Sequence, residues 1–411
     1  MPERPKQFRP VATLVGAATL ALMGYEMSRS AASSIFLAHY PASRLTEALI
    51  LELVVMLGLT LTVSWLLRRF GTSATYALTL VGSGLILAAA SFAVQHDVPA
   101  SVFVLYIFAD LYIVLIVEQS WAFINSQITT EDGKRWNGII IATTTAGSVV
   151  GGLLTGLLSE KIHSEWVVVC AAVLTAAGAF LSRRAFRLAG PERTAADRHP
   201  ERLADHFAWD LLRSDPTLGR LALMVIASQS ISVLFYLAFS RSVQIAIPLQ
   251  EPRTSFLGYF YGGINAVAFV MQLALCPQLL KRFQVRHILA AIPLLYAAAA
   301  LGGVAFPILP VLAAAYFISK SVDYSVFRAS KEVLYVPLPF TARYRGKLTI
   351  DALIYRSTKG IASAALSLAG LVAGVLPLRL YPLLAVLFGG LWNRVSLGVP
   401  EPKGTEPRPE A

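Results

Sequence analysis

The sequence predicts an all-α polytopic membrane protein of twelve transmembrane helices, arranged as two pseudo-symmetric six-helix bundles. Three observations carry that prediction. The chain is 56% hydrophobic and 14% charged, with a mean hydropathy of +0.62, whereas soluble domains are roughly 25% charged. That much apolar surface does not fit inside one water-soluble core, and 411 residues accommodate about a dozen spans of ~20 residues with short loops. Charged positions also repeat. Ser28-Arg29-Ser30, five residues before Ile35, returns 212 positions later as Ser240-Arg241-Ser242, five residues before Ile247. Leu66-Leu67-Arg68-Arg69-Phe70 returns 213 positions later as Leu279-Leu280-Lys281-Arg282-Phe283, Asp110 as Asp323, and Lys134 as Lys347. Lastly, every third span lacks interior charge. In a bundle of three-helix repeats the third helix faces lipid and must stay apolar.

Each element follows from local signals. Span 1 is read at 11–38. Its apolar run from Val11 holds Glu26 and Arg29 without a cleavage-site pattern, so a retained helix is expected rather than a signal peptide. Span 2 (43–67) follows Pro41 and carries Glu47 and Glu52; Gly71 separates it from uncharged span 3 (73–95). Span 4 (99–126) opens at Pro99 and carries Asp110 and Glu118. Span 5 (136–158) follows Gly133 and has small residues four apart, Gly147/Gly151 and Gly152/Gly156. Span 6 (165–183) is uncharged inside. A basic stretch follows, in which Leu203–Leu212 reads as a short amphipathic surface helix. Span 7 (218–248) carries Arg241, and span 8 (254–278) has Gly258/Gly262. Span 9 (287–306) is uncharged. Span 10 (310–337) carries Lys320, Asp323, Arg328, Lys331 and Glu332. Span 11 (347–374) carries Asp351, Arg356 and Lys359, with Gly370/Gly374; span 12 (376–394) is uncharged. The glycine pairs let helix backbones approach closely, as static packing or as seams along which bundles slide.

The expected organisation is an N-terminal six-helix bundle at 1–190, a cytoplasmic linker at 191–215, a C-terminal six-helix bundle at 216–397 and a disordered cytoplasmic tail at 398–411. Basic residues set the orientation. With the N-terminus inside, 24 of the 35 Lys and Arg fall in cytoplasmic segments. Four, Arg44, Lys161, Arg253 and Arg379, fall in outer loops, and seven lie within spans. This is a strong positive-inside signal, so a cell (inner) membrane with both termini cytoplasmic is expected. The net charge of +11 is then a topology determinant, and no nucleic-acid partner is expected. Cys170 and Cys276 lie in different halves and the six histidines are scattered, so neither a disulfide framework nor a metal site is expected. No catalytic constellation and no Walker loop are present. An enzyme is not expected, nor a cofactor. The expected partners are a small-molecule substrate and the lipid bilayer, with the chain monomeric.

A charge inside a bilayer is costly and functional by default. Glu26/Arg29 and Lys320/Asp323 are i,i+3 pairs, either structural ion pairs or pairs that open for a substrate. Arg356 and Lys359 are also i,i+3, but both positive, and call for an outside anion. Arg29, Arg241, Lys320, Arg356 and Lys359 are therefore substrate-binding candidates. Glu26, Glu52, Asp110, Glu118, Asp323, Lys331 and Asp351 are candidates for proton coupling or gating. Glu52 and Glu118 lead that set, because no cation lies nearby in their own spans and burial favours a neutral carboxyl. Seven cations against eight carboxylates in the spans describe a balanced cavity, which argues against a highly anionic substrate.

Two junctions carry a family resemblance. One runs from Trp121-Ala-Phe-Ile-Asn125 to Lys134-Arg135. The other runs from Lys331-Glu332-Val-Leu-Tyr335-Val-Pro337-Leu338 to Arg345-Gly346-Lys347 and Ile350-Asp351. Both resemble the ATP/ADP antiporter family of nucleotide transporters, within the major facilitator superfamily, whose four-fold helix repeat the charge pattern also gives. Phe256-Leu-Gly258-Tyr-Phe-Tyr261, with Asn265, is similar to that family's span 8 and adds Asn265 to the substrate-binding candidates. The resemblance implies twelve helices and exchange of nucleotides. The chain departs from it where the family's span 1 lysine and aspartate fall on Ala32 and Ser33. The family's Gly-Lys-Ser-Gly-Gly in span 11 is here Thr358-Lys359-Gly360-Ile361-Ala362. These departures argue against ATP as cargo and point to a divergent bacterial-type relative. The expectation is a secondary active transporter that moves a small polar metabolite bearing an anionic group by alternating access. Nucleotide exchange, proton-coupled export or uptake of a non-nucleotide compound, and a non-transporting membrane sensor or scaffold stay open.

Overall fold

A computed structural model describes residues 8–128, 130–190, 209–336, 338 and 345–399. Among the described residues every regular element is helical. Among the described residues nine helices are long and apolar enough to cross a membrane. One of them, Ala42–Gln95, is 54 residues long and serves as two spans. The expected break between spans 2 and 3 is reduced to a single residue, Gly71, with φ 74° and ψ 176°. Two more helical runs are too charged to count as apolar. The first consists of Leu309–Val322, Asp323–Phe327 and Arg328–Tyr335, and the second of Leu348–Ile354 and Tyr355–Ala373. With them the described residues form twelve crossings, as the sequence predicts.

Three of these crossings contain a π-helical turn: Met271–Leu275 in span 8, Asp323–Phe327 in span 10 and Leu348–Ile354 in span 11. Nothing in the periodicity announces them. Span 6 runs six residues past its expected end, to Ala189, with Arg187 in its last turn. Arginine is a good helix former and is stabilised at a helix C-terminus, so the basic stretch continues the helix instead of ending it. Of the amphipathic helix expected at Leu203–Leu212, residues 203–208 lie outside the described residues; the described part is helical over Trp209–Ser214. The tail beyond 399 and the side chains of Lys134 and Arg135 also lie outside them.

The chain divides into two compact units. The first comprises Met1–Pro41, Leu51–Pro200 and Ile247–Ala266; the second comprises Ala42–Ile50, Glu201–Ala246 and Val267–Ala411. In the first unit, span 1 packs against spans 4, 5 and 6. It is buried nearly all round, and its small residues let neighbours close in: a Cβ on Gly24 would stand 2.6 Å from the Ala171 carbonyl oxygen. In the second unit, span 7 packs against spans 10, 11 and 12. The pairings 1–4, 1–5 and 1–6 thus return as 7–10, 7–11 and 7–12. Span 3 is tied to span 6 by Ser91, which donates to the Glu165 carbonyl at 2.7 Å. Its counterpart, span 9, receives Asn393 of span 12 on the Ala290 carbonyl at 2.8 Å. Trp392 is fully buried, with ring centroids 5.6 Å from Tyr296 and 4.8 Å from Phe327.

The uncharged spans present apolar stripes outward. Leu78, Leu85 and Phe92 in span 3 are exposed, as are Trp166, Val173 and Phe180 in span 6, each set spaced by seven. Leu294 and Leu301 continue the pattern in span 9, and Leu383, Leu387 and Leu391 in span 12. Span 5 uses its glycines on two faces. Gly147 and Gly151 meet the backbone of span 1 at Thr19 and Met23, while Gly152 and Gly156 meet span 8 at Gly258, Gly262 and Tyr259. The Gly370/Gly374 pair of span 11 forms no such seam: nothing lies within 4 Å of a Cβ built on either.

Candidate functional site

The first unit gathers charge around Arg29. Glu26 precedes it by one helical turn on span 1, so the two share a face. The Arg29 guanidinium lies 3.9 Å from Glu26 and 3.6 Å from Asp110 of span 4. Tyr25 donates to Asp110 Oδ1 at 3.3 Å. Asn265, on span 8, donates to Glu26 Oε1 at 2.9 Å. Glu26 Oε2 accepts no hydrogen bond among the described residues. The guanidinium carbon lies 4.1 Å from the Tyr261 ring centroid and 5.8 Å from that of Tyr25. The Glu26 and Arg29 side chains are 4% and 13% exposed, so a full set of charges sits in a largely buried setting. Beneath it, Tyr112 bridges Ser28 and Thr175 at 3.4 Å each. Four sequence candidates, Glu26, Arg29, Asp110 and Asn265, therefore form one cluster. Sequence reading missed Tyr25 and Tyr261 as its aromatic walls.

A second polar layer in the same unit lies where span 8 begins. Arg253, counted from sequence with the outer loops, is in the first turn of the helix Gln250–Val270 and only 1% exposed. It donates to the carbonyls of Leu37 at 3.0 Å and Pro248 at 3.2 Å, and to Ser34 at 3.3 Å. Ser34 in turn donates to the Gln250 carbonyl. Ser164 donates to Glu251 at 2.6 Å, Gln250 to Glu165 at 2.9 Å, and Ser255 to the Gly156 carbonyl at 2.9 Å. Backbone carbonyls and hydroxyls thus satisfy a guanidinium that the loop reading left to water. His163, Glu165 and Glu251 bring ligand atoms within 4.8 Å of one another. Both carboxylates already accept from neighbouring helices, so this set works as a tie between helix ends.

The second unit also carries charge inside its helices. Lys331 donates to Asp351 at 2.6 Å, linking spans 10 and 11. Tyr355 donates to Asp323 at 3.4 Å. The repeated aspartates, Asp110 and Asp323, thus each receive a tyrosine hydroxyl from another helix. Lys320 is buried, 5.5 Å from the Tyr324 ring centroid and 6.0 Å from that of Tyr316. Arg356 and Lys359 are half-buried on the helix Tyr355–Ala373. Arg241 donates to the carbonyl of Leu376, in the connection after span 11. Glu52 is buried and Glu118 exposed.

A family model described as Major Facilitator Superfamily matches residues 13–328. Comparison with curated proteins gave no match. Among solved structures, a bacterial homologue of the iron transporter ferroportin in an inward-facing state is similar, with a TM-score of 0.70 at 13% identity. The alignment covers 96% of this chain and 99% of that one. The nucleoside transporter NupG gives a TM-score of 0.69 at 10% identity over 95% and 99% of the two chains. A bacterial homolog of the human lysosomal transporter Spinster gives 0.60 at 14% identity over 96% and 97%. At these identities the likeness is one of fold.

Proposed function

The chain belongs to the Major Facilitator Superfamily and works as a secondary transporter, and we propose that its cargo is a small polar solute with an ionised group, read by Glu26, Arg29, Asp110 and Asn265. One observation supports this most directly: a single guanidinium is shared by carboxylates on two helices at 3.9 and 3.6 Å. Both distances exceed the ~2.7–2.9 Å of a tight charge-assisted bond. A solute's own charged group then competes for Arg29 or for Glu26 on comparable terms. Packing alone does not call for this arrangement, because apolar residues of similar size serve a buried core at least as well as an ion pair. Tyr25 and Tyr261 offer ring faces to the uncharged part of the solute. A ligand that contacts spans 1, 4 and 8 at once favours the conformer in which all three are in reach, and so biases alternating access. In this reading the six-helix bundles 1–190 and 216–397 are the moving halves. The chain is a monomer in the inner membrane with both termini cytoplasmic.

Nucleotide exchange is a narrower form of the reading. It is favoured by Arg356 and Lys359, two cations one turn apart on span 11, and by the Lys331–Leu338 resemblance. The engagement of Lys331 by Asp351 and the alanine at position 32 weigh against it.

The test is a melting screen of the purified chain against nucleotides, sugar phosphates, organic acids and amino compounds. A ligand at about a hundred times its Kd contributes ~2.7 kcal/mol of stability. Arg29→Gln should weaken that ligand roughly ten- to a hundred-fold, the worth of one charge-assisted contact. Arg29→Lys keeps the charge without the planar stack and should retain part of the affinity. A ligand held equally well by the parent and by Arg29→Gln overturns the assignment of the site. Shifts confined to nucleotides select the narrower reading.

A further inference from the structure

A groove of about 570 Å³ opens on the second unit where span 7 begins. Arg213, from the helix Trp209–Ser214, and Arg220, from the second turn of span 7, line it. From Arg220 it continues past Leu223 to Ile226, a rise of ~9 Å along the helix, with Ile354 of span 11 also lining it. Leu223 is 49% exposed and Ile226 37%. Among the described residues neither arginine makes an ion pair or a side-chain hydrogen bond. Asp215, two residues after Arg213, turns one oxygen to the helix instead: its Oδ1 caps span 7 by accepting from the amides of Thr217 and Leu218 at 2.7 and 3.2 Å. The short helix is held close, since a Cβ on Gly219 would stand 2.8 Å from the Leu212 carbonyl oxygen.

We infer that this groove is a binding site for an anionic phospholipid from the cytoplasmic leaflet, with the headgroup on Arg213 and Arg220 and an acyl chain along Leu223 and Ile226. The sequence of surfaces is that of a lipid: two cations at the water-facing end, then apolar side chains toward the membrane interior. The positive-inside count puts this end of span 7 at the cytoplasmic face, where anionic lipids attract basic residues. Two guanidiniums that meet no carboxylate among the described residues suit a headgroup of net negative charge. A zwitterionic headgroup brings its own ammonium against them. The site is remote in sequence from the Arg29 cluster and stands whether or not that cluster reads the cargo.

The test uses the full chain in detergent, titrated with phosphatidylglycerol or phosphatidylcholine and followed by native mass spectrometry and thermal melting. Phosphatidylglycerol should be retained in preference and should raise the melting temperature further. Arg213→Gln and Arg220→Gln should each cut that retention about five-fold, and the double variant should abolish the preference. Arg213→Lys/Arg220→Lys should keep it. Arg68→Gln/Arg69→Gln, a basic pair at the end of span 2, should leave it intact. The inference is overturned if the two lipids bind alike, if the double Gln variant keeps the preference, if the Arg68/Arg69 pair matters equally, or if inorganic phosphate reproduces the stabilisation.

Discussion

At the scale of residues, charge in this protein is held in two ways. Arg29 is shared loosely among several partners, while Lys331 and Asp351 meet at 2.6 Å with side chains 9% and 26% exposed. The tight pair should behave as structure. Removing one member leaves a charge without its partner, so Lys331→Met and Asp351→Leu should each destabilise the chain by roughly 3 kcal/mol. The double variant should cost less than their sum, with a coupling of about 1–3 kcal/mol. Thermal unfolding of all four proteins in one detergent measures it, and strict additivity would show the pair to be uncoupled. Glu26 and Arg29 were legible as a pair from their spacing. Their union with Asp110 and Asn265 was not, because it depends on which faces of spans 4 and 8 turn toward span 1. The burial of Arg253 was hidden for another reason: its partners are mostly main-chain carbonyls, and any sequence supplies those.

At the scale of elements, the hydrophobic pattern determined nearly every helix, since a span must satisfy its backbone internally and stay apolar toward lipid. The ends were less legible. Arginines past position 183 prolong span 6, and Gly71 alone divides two spans where a loop was expected. Glycine spacing told where backbones approach in span 5 but misled in span 11. The contrast is measurable. Gly152 has backbone atoms of Gly258 and Gly262 within 2.7 Å of a built Cβ, while Gly370 has none within 4 Å. Gly152→Ala should therefore overpack the span 5–span 8 contact and cost about 1–3 kcal/mol. Gly370→Ala, in a helix with open space, should be neutral or stabilise by about 0.5–1 kcal/mol. Melting temperatures that fall equally for both would mean that the seam is not the close contact it is drawn to be.

At the scale of the whole molecule, two halves with corresponding pairings predict an even number of crossings, and the labelling of the two faces tests it. Cysteines at Ala100 and Gly190, in a background lacking Cys170 and Cys276, should react oppositely with an impermeant reagent added to intact cells. Ala100 should label and Gly190 should not; the reverse would invert the topology. The π turn at Met271–Leu275 bears on how the halves came to differ. Positions before it, at Ser240–Ser242 and Ile247, match the first half at an offset of 212, and those after it, from Leu279 onward, at 213. The second half is therefore one residue longer than the first between Ile247 and Leu279. An extra residue left in an α-helix rotates everything beyond it by about 100°, whereas a π turn absorbs it and keeps both flanks in phase. Lys281 and Arg282 still close their span as Arg68 and Arg69 do. Deleting the exposed Ala274 should restore a plain helix and be tolerated, while deleting the exposed Ala298 from uninterrupted span 9 should abolish folded yield. The π turn at Met271–Leu275 thus falls in the stretch where the two halves differ in length by one residue, and a turn of this kind is how a helix takes up such a difference without losing its phase.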